Sequence, residues 1–121
     1  SIKEFKELID FYPKSKYVLK AKRNISIAKS QLAGQEVAVG RYYLKRNNPL
    51  SAINRFKTVI DDHKNTPYYP EALFRSIEAY AMLGINHKVI GYVEILKKEF
   101  PESDWNNLAL NLMKEYGIKV D

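Results

Sequence analysis

Apolar residues recur at three- and four-residue spacing along nearly the whole chain. The pattern is clear in two segments: Phe5, Leu8, Ile9 and Tyr12, and then Ile53, Phe56, Val59 and Ile60. This spacing places apolar side chains on one face of an α-helix. Almost no segment alternates with the two-residue period of a half-buried strand. The pattern therefore predicts an all-α protein.

Turn and capping signals divide the helical pattern into segments. Asn47-Asn48-Pro49 predicts a turn in which Asn48 caps a helix that begins at Pro49. Ser15, Thr66 and Ser103 precede other helical segments, and each is a predicted N-cap. Asp104 would then lie in a first helical turn, where its charge favours the helix. His87 is expected in a polar connection that begins at Gly84.

Three segments of the chain align with one another without gaps. They begin at Phe5, Phe56 and Val93, so the copies start 51 and 37 residues apart. The second interval is close to the period of about 34 residues typical of a helical-hairpin repeat, and the first interval exceeds that period by about 17 residues. Residues 16–46 contain no proline and only two glycines, so we expect one unusually long helix of about 45 Å there.

The repeat also fits the tetratricopeptide (TPR) pattern. Its small and bulky positions are occupied by Val39, Gly40, Tyr43, Ala52, Phe56 and Val59. Gly40 and Ala52 should lie where two helices touch, with Tyr43 and Phe56 filling the space between them. We therefore predict a right-handed superhelix of stacked helical hairpins rather than an ordinary helical bundle.

The predicted organisation is a single TPR-like domain over residues 1–121. It consists of a partial repeat (1–14), a long-helix repeat (15–64), a second repeat (66–101) and a closing helix (103–117). We expect this to be the C-terminal piece of a longer array.

Motifs for catalysis are poorly represented. The five glycines form no phosphate-binding loop or nucleophile elbow, and there is no His-Glu-x-x-His. His63 follows two aspartates, but it aligns with Tyr12 and Phe100, so we expect it in an aromatic packing position. We predict no catalytic residue, no metal site and no cofactor. No run approaches the roughly 18 apolar residues of a membrane span.

The net charge of +6 is concentrated in the first third of the chain. Residues 1–46 hold eleven Lys or Arg and four Asp or Glu, whereas the remaining segments are nearly neutral. Such a surface fits a solvated lysine face, an acidic protein partner, nucleic acid or anionic lipid. Tyrosine pairs at Tyr42-Tyr43 and Tyr68-Tyr69 are each expected to expose one ring, which favours a protein partner.

Several segments resemble one family. Residues 31–46 read Gln-Leu-Ala-Gly-Gln-Glu-Val-Ala-Val-Gly-Arg-Tyr-Tyr-Leu-Lys-Arg and lead into Ala52-Ile53-Asn54-Arg55-Phe56. Together with Phe5-x-x-Leu8-Ile9-x-x-Tyr12-Pro13, they resemble the C-terminal half of the BamD (ComL, YfiO) family. These are TPR lipoproteins of the bacterial outer-membrane β-barrel assembly machinery. The resemblance covers about residues 3–101 and fades in the last helix.

The resemblance implies a non-catalytic protein-interaction scaffold at the periplasmic face of the outer membrane. Its C-terminal repeats would dock on a periplasmic POTRA domain of BamA and bind other lipoproteins of the machinery. The only membrane contact implied is an acylated cysteine upstream of Ser1. The N-terminal repeats that the family is thought to use to recognise unfolded substrates lie outside this sequence, so docking is the expected role.

Arg55 matches a family position that pairs with an acidic residue of that POTRA domain. Its alternative role is an intramolecular pair with an acidic residue on a neighbouring helix. Arg41, Lys45 and Arg46 are further candidates, chosen for their charge and their closeness to the repeat turn. We expect no nucleic-acid partner. The alternatives are a nucleic-acid-binding helical repeat, favoured only by the charge, and a cytosolic TPR adaptor that binds peptides in its groove.

Overall fold

A computed structural model describes residue 2 and residues 16–120, and in this part of the chain the secondary structure is helical, without strands. The helices are α1 (Lys16–Lys45), α2 (Pro49–Asp62), α3 (Tyr69–Leu83), α4 (Asn86–Glu99) and α5 (Asp104–Tyr116). The all-α prediction is confirmed. The predicted partial repeat 1–14 and the predicted cap Ser15 lie outside the described residues.

The helices form antiparallel hairpins that stack in two layers. Each helix packs against the next one in sequence, and α1 also contacts α3, which in turn contacts α5. Consequently α1, α3 and α5 form one layer, while α2 and α4 form the other. This is the arrangement of a TPR-type helical solenoid, as the repeat pattern predicts.

The predicted long helix is α1, which has 30 residues against 14 in its hairpin partner α2. At about 1.5 Å per residue, α1 is about 45 Å long and extends well past α2. Its first half buries Val18, Ala21 and Ile25, and its second half buries Ala33, Val37 and Gly40. Among the described residues, no helix is both long enough and apolar enough to cross a membrane.

The core of the first hairpin is a close contact between α1 and α2. Phe56 and Ala52 are fully buried, and Tyr43 packs against the same core while half-buried. A Cβ atom at Gly40 would lie 2.3 Å from the Phe56 ring. The sequence-based assignment of Gly40 to the helix contact and of Phe56 to the space beside it is therefore confirmed.

Two of the three N-cap predictions that can be checked are correct. The Asn48 side chain accepts a hydrogen bond from the Ser51 backbone N–H (3.3 Å), and Ser103 Oγ accepts one from the Trp105 N–H (3.2 Å). The prediction for Thr66 is wrong, because α3 begins two residues later in its repeat than α5 does. Thr66 instead donates its hydroxyl to the His63 carbonyl at 2.8 Å, which closes the loop.

Two histidines lie near helix ends. His63 is half-buried and forms the C-terminal cap of α2, the position that Phe100 holds in α4. The prediction that His87 lies in the connection is wrong: Gly84, in the left-handed conformation (φ 72°), ends α3. Only Gly84 and Ile85 then separate the two helices, so α4 begins at Asn86 and His87 is exposed in its first turn.

We expect Gly40→Ala to destabilise the protein by about 1–3 kcal/mol, because the new methyl group overlaps the buried Phe56 ring. Gly91 provides the matched control, since it lies within α4 with open space where a Cβ would be. Gly91→Ala should stabilise the protein by about 0.5–1 kcal/mol through helix propensity alone. Urea unfolding followed by circular dichroism measures both. Equal stabilisation by the two substitutions would contradict the proposed contact.

Candidate docking surface

Arg55 lies on α2 and faces α1. Its Nη1 donates to Glu36 Oε1 on α1 at 3.3 Å, while 44% of the Arg55 side chain and 25% of the Glu36 side chain stay exposed. The structure thus contains the intramolecular pair that was the alternative role of Arg55. Such partly exposed pairs contribute at most about 1 kcal/mol to stability. The other guanidinium N–H groups make no hydrogen bond within the described part of the chain, so they remain available to a partner carboxylate.

Arg41 belongs to a charge network that links α1 to α3. Its Nη1 lies 3.6 Å from Oε2 of Glu71, and the same oxygen accepts a hydrogen bond from Arg75 Nε at 3.3 Å. Arg75 in turn donates to Glu78 Oε1 at 2.7 Å. Only 13% of the Glu71 side chain is exposed, so this carboxylate is better shielded than Glu36. Arg41 therefore holds two helices together in addition to presenting charge.

Lys45 lines an open groove between α1 and α3, which we call the inner groove. The groove has a volume of about 460 Å³ and is lined by Arg41, Leu44, Lys45, Arg75, Glu78 and Met82. Lys45 is exposed and forms no ion pair with any residue of the described segments. It thus offers a cation next to the network that Arg41 and Arg75 form with Glu71 and Glu78.

Arg46 lies at the end of the first hairpin, beyond the last residue of α1. Its guanidinium carbon is 4.4 Å from the centre of the Tyr42 ring, and this ring is 50% exposed. The predicted exposure of Tyr42 is therefore confirmed. The same prediction for the Tyr68-Tyr69 pair is wrong: Tyr69 is buried, and the Tyr68 ring is half-buried against the core, because Gly34 leaves room for it on α1.

The predicted site residues do not form one cluster. Glu36, the partner of Arg55, and Arg41 are five residues apart on α1, which is about 140° around the helix. Arg41 and Lys45 accordingly face α3, while Arg55 lies against the opposite side of α1. That these residues bind a partner stays a prediction. The candidates lie at three separate places: Arg55 on α2, Arg41 and Lys45 at the inner groove, and Arg46 at the turn of the first hairpin.

Arg75 is a residue that the sequence analysis did not single out. Its guanidinium carbon lies 5.4 Å from the ring centres of both Phe74 and Trp105. Because Trp105 is on α5, Arg75 links α3 to α5. It also pairs with Glu71 and Glu78 on its own helix. The middle third of the chain has as many basic as acidic residues, so its net charge does not draw attention to Arg75. Its ring contact with Trp105 depends on helix packing, and no local motif signals it.

The groups whose pKa values are shifted, Tyr69 and Tyr92, are not among the candidate docking residues. Burial raises the pKa of Tyr69, and the nearby Glu99 carboxylate, which accepts a hydrogen bond from the Tyr69 hydroxyl at 3.3 Å, raises it further. Burial also raises the pKa of Tyr92, with a smaller contribution from Tyr80. Both phenols stay protonated at neutral pH, so they act as packing and hydrogen-bonding groups.

Comparison with known proteins gives a consistent answer. The family described as YfiO, outer membrane lipoprotein, matches residues 1–94. The chain belongs to this family. The resemblance noted in the sequence is thereby confirmed, and the matched segment includes Arg41, Lys45, Arg46 and Arg55.

Relatives of this YfiO-family chain carry the name outer membrane protein assembly factor BamD. The Rickettsia prowazekii protein is 39% identical over 112 residues, which are 93% of this chain and 45% of that protein. The Caulobacter vibrioides protein is 39% identical over 94% of this chain and 37% of its own length. The Neisseria meningitidis serogroup A protein is 34% identical over 82% of this chain and 37% of its own length. The chain therefore spans less than half the length of these relatives.

We expect Glu71→Gln to lower the free energy of unfolding by about 1–2 kcal/mol, because it weakens charged hydrogen bonds in a shielded network. Glu36→Gln, which breaks a more exposed pair, should cost at most about 1 kcal/mol. Urea unfolding at low and high salt compares the two variants. Equal losses, or a larger loss for Glu36→Gln, would show that Glu71 does not hold α1 against α3.

Proposed function

We propose that this chain is a non-catalytic protein-interaction module in the assembly of outer membrane proteins. Its membership of the YfiO family and the name shared by its relatives support the role. The family description also supports a place at the outer membrane. We place the chain on the periplasmic face, held there by the upstream lipid anchor that the resemblance implies.

The partner we propose is the periplasmic POTRA region of BamA, bound through Arg55, with other lipoproteins of the machinery as further partners. The observation that carries this proposal is the state of Arg55, which is nearly half exposed and joined to Glu36 through one nitrogen. An arginine that still has N–H groups to offer can accept a partner carboxylate in the two-pronged geometry that favours Arg–carboxylate pairs.

Glu36 has a positioning role in this proposal. By holding one edge of the Arg55 guanidinium, it keeps the long side chain extended before the partner arrives. Less side-chain entropy is then lost on binding, which strengthens the complex. The pair is weak enough to shift when a second carboxylate approaches.

Arg46 and Tyr42 supply a second contact of the same chemical kind. Arginine and tyrosine are enriched at protein interfaces, and here an exposed ring and a guanidinium already stack on each other. Lys45 and Arg41 would add charge from the inner groove, with Arg41 limited by its pair with Glu71. These three basic residues should mainly affect the rate of association.

Arg55→Glu should weaken binding to a recombinant BamA periplasmic region about 30-fold or more, the loss of about 2 kcal/mol expected for a hot-spot arginine. The variant should melt within a few degrees of the parent chain, because the Glu36 pair contributes little to stability. Calorimetric titration and thermal unfolding give the two values. Unchanged affinity would remove Arg55 from the interface.

Glu36→Gln and Arg55→Gln form the matched pair that separates docking from bracing. Both break the Arg55–Glu36 ion pair, but only Arg55→Gln removes the group that the partner would bind. We expect Arg55→Gln to weaken binding strongly and Glu36→Gln to weaken it by at most about threefold, because the guanidinium then keeps its charge and its donors and loses only its pre-positioning. Equal weakening by both would mean that Arg55 acts only by bracing α1 against α2.

A further inference from the structure

The charged side chains in the first half of α1 are all positive. Residues 16–35 contain five basic residues, Lys16, Lys20, Lys22, Arg23 and Lys29, and no acidic residue. None of the five forms an ion pair or a hydrogen bond within the described part of the chain. In contrast, Arg41, Arg55 and Arg75 in the hairpins are all paired. Within residues 16–120, the charge of this segment is therefore not neutralised by ion pairs.

Apolar side chains are interspersed with these charges on the exposed side of the helix. Tyr17 is 76% exposed and Leu19 is 65% exposed, and Ile27 is about half exposed. At 100° per residue, Leu19, Arg23, Lys16, Ile27, Lys20 and Tyr17 fall within about 160° of the helix circumference, in that order. The buried residues Val18, Ala21 and Ile25 lie on the opposite side. We call these six residues the basic–apolar face.

We propose that the basic–apolar face lies on an anionic phospholipid surface. Helices that rest in the headgroup region combine lysine and arginine with exposed aromatic and aliphatic residues. The charges attract the anionic headgroups, and Tyr17, Leu19 and Ile27 bury apolar area beside them. The arc is a convex surface, suited to a flat, extended partner.

An acidic protein surface fits these observations less well. Lysine is depleted at protein interfaces, and two of the three basic residues of the basic–apolar face are lysines. The chain belongs to a family of outer membrane lipoproteins, so a lipid surface is close to it. A basic–apolar face would give such a chain a membrane contact in addition to its acyl anchor. This inference does not rest on the docking role of Arg55.

The test measures binding of the 121-residue chain, without any lipid anchor, to vesicles. We expect it to bind vesicles of phosphatidylcholine with about 30% phosphatidylglycerol and not vesicles of phosphatidylcholine alone. Binding should weaken as salt rises. Each basic residue near an anionic surface strengthens partitioning about fivefold. The triple variant Lys16→Gln/Lys20→Gln/Arg23→Gln should therefore bind about a hundredfold less tightly, as measured by cosedimentation.

The matched control is Lys88→Gln/Lys97→Gln/Lys98→Gln, which removes the same charge from exposed positions of α4. It should keep vesicle binding within about fivefold of the parent chain. A second variant, Leu19→Gln/Ile27→Gln, keeps every charge and should bind about tenfold less tightly, because it removes apolar burial. All these positions are exposed, and circular dichroism checks that each variant is folded.

Three results would overturn the proposal. Equal losses in the two triple variants would mean that net charge alone draws the chain to the vesicles. Undiminished binding of Leu19→Gln/Ile27→Gln would mean that no apolar group enters the headgroup region. Failure to bind the anionic vesicles, combined with tight binding to soluble polyglutamate, would assign the face to an acidic protein partner instead.

Discussion

The close approach of α1 and α2 at Gly40 and Phe56 is the contact on which the rest of the molecule depends. A hydrogen in place of a side chain at Gly40 lets the Phe56 ring lie directly against the α1 backbone. This distance sets where α2 lies, and α3 packs on both helices of the first hairpin. Arg55 is the residue before Phe56 on α2, so the same contact brings its guanidinium to Glu36. The candidate docking residue is thus positioned by the core beneath it.

The charged residues of the hairpins fall into two groups: some are paired in a shielded network that stabilises the fold, and others are exposed. Arg41 and Arg75 meet at the shielded carboxylate of Glu71, where they hold the inner layer of helices together. Charges used in this way are costly to redirect towards a partner, because a shielded acid would lose its compensation. The Arg55 pair is more exposed and simpler, and Lys45 has no pair in the described chain. Availability for binding therefore follows from exposure and pairing, and the number of basic residues alone does not reveal it.

Most of the fold could be predicted from the sequence because its determinants are local or repeat with a fixed period. The long α1, the caps Asn48 and Ser103, and the contact of Gly40 with Phe56 each follow from spacing or from a short motif. The failures have a common origin in connection geometry. The predicted N-cap role of Thr66 and the predicted loop position of His87 are wrong because periodicity does not encode the lengths of the connections between helices. The burial of Tyr68 and the pairing of Arg55 with Glu36 depend on which helix faces lie together, and a single sequence does not contain that information.

The basic first third of the chain, which the sequence presents as one feature, consists of separate surfaces in the structure. Arg23 is the last charged residue of the basic–apolar face and lies 13 residues before Glu36 on α1, so the charges of the face are at least about 20 Å along the axis from the Arg55 pair. This separation exceeds the Debye length of about 8 Å at physiological salt, so charges at one site barely influence the other. A ligand of one surface would leave the other free. The overhang of α1 is the physical reason, because only a helix longer than its hairpin partner can carry one surface beside α2 and another beyond it.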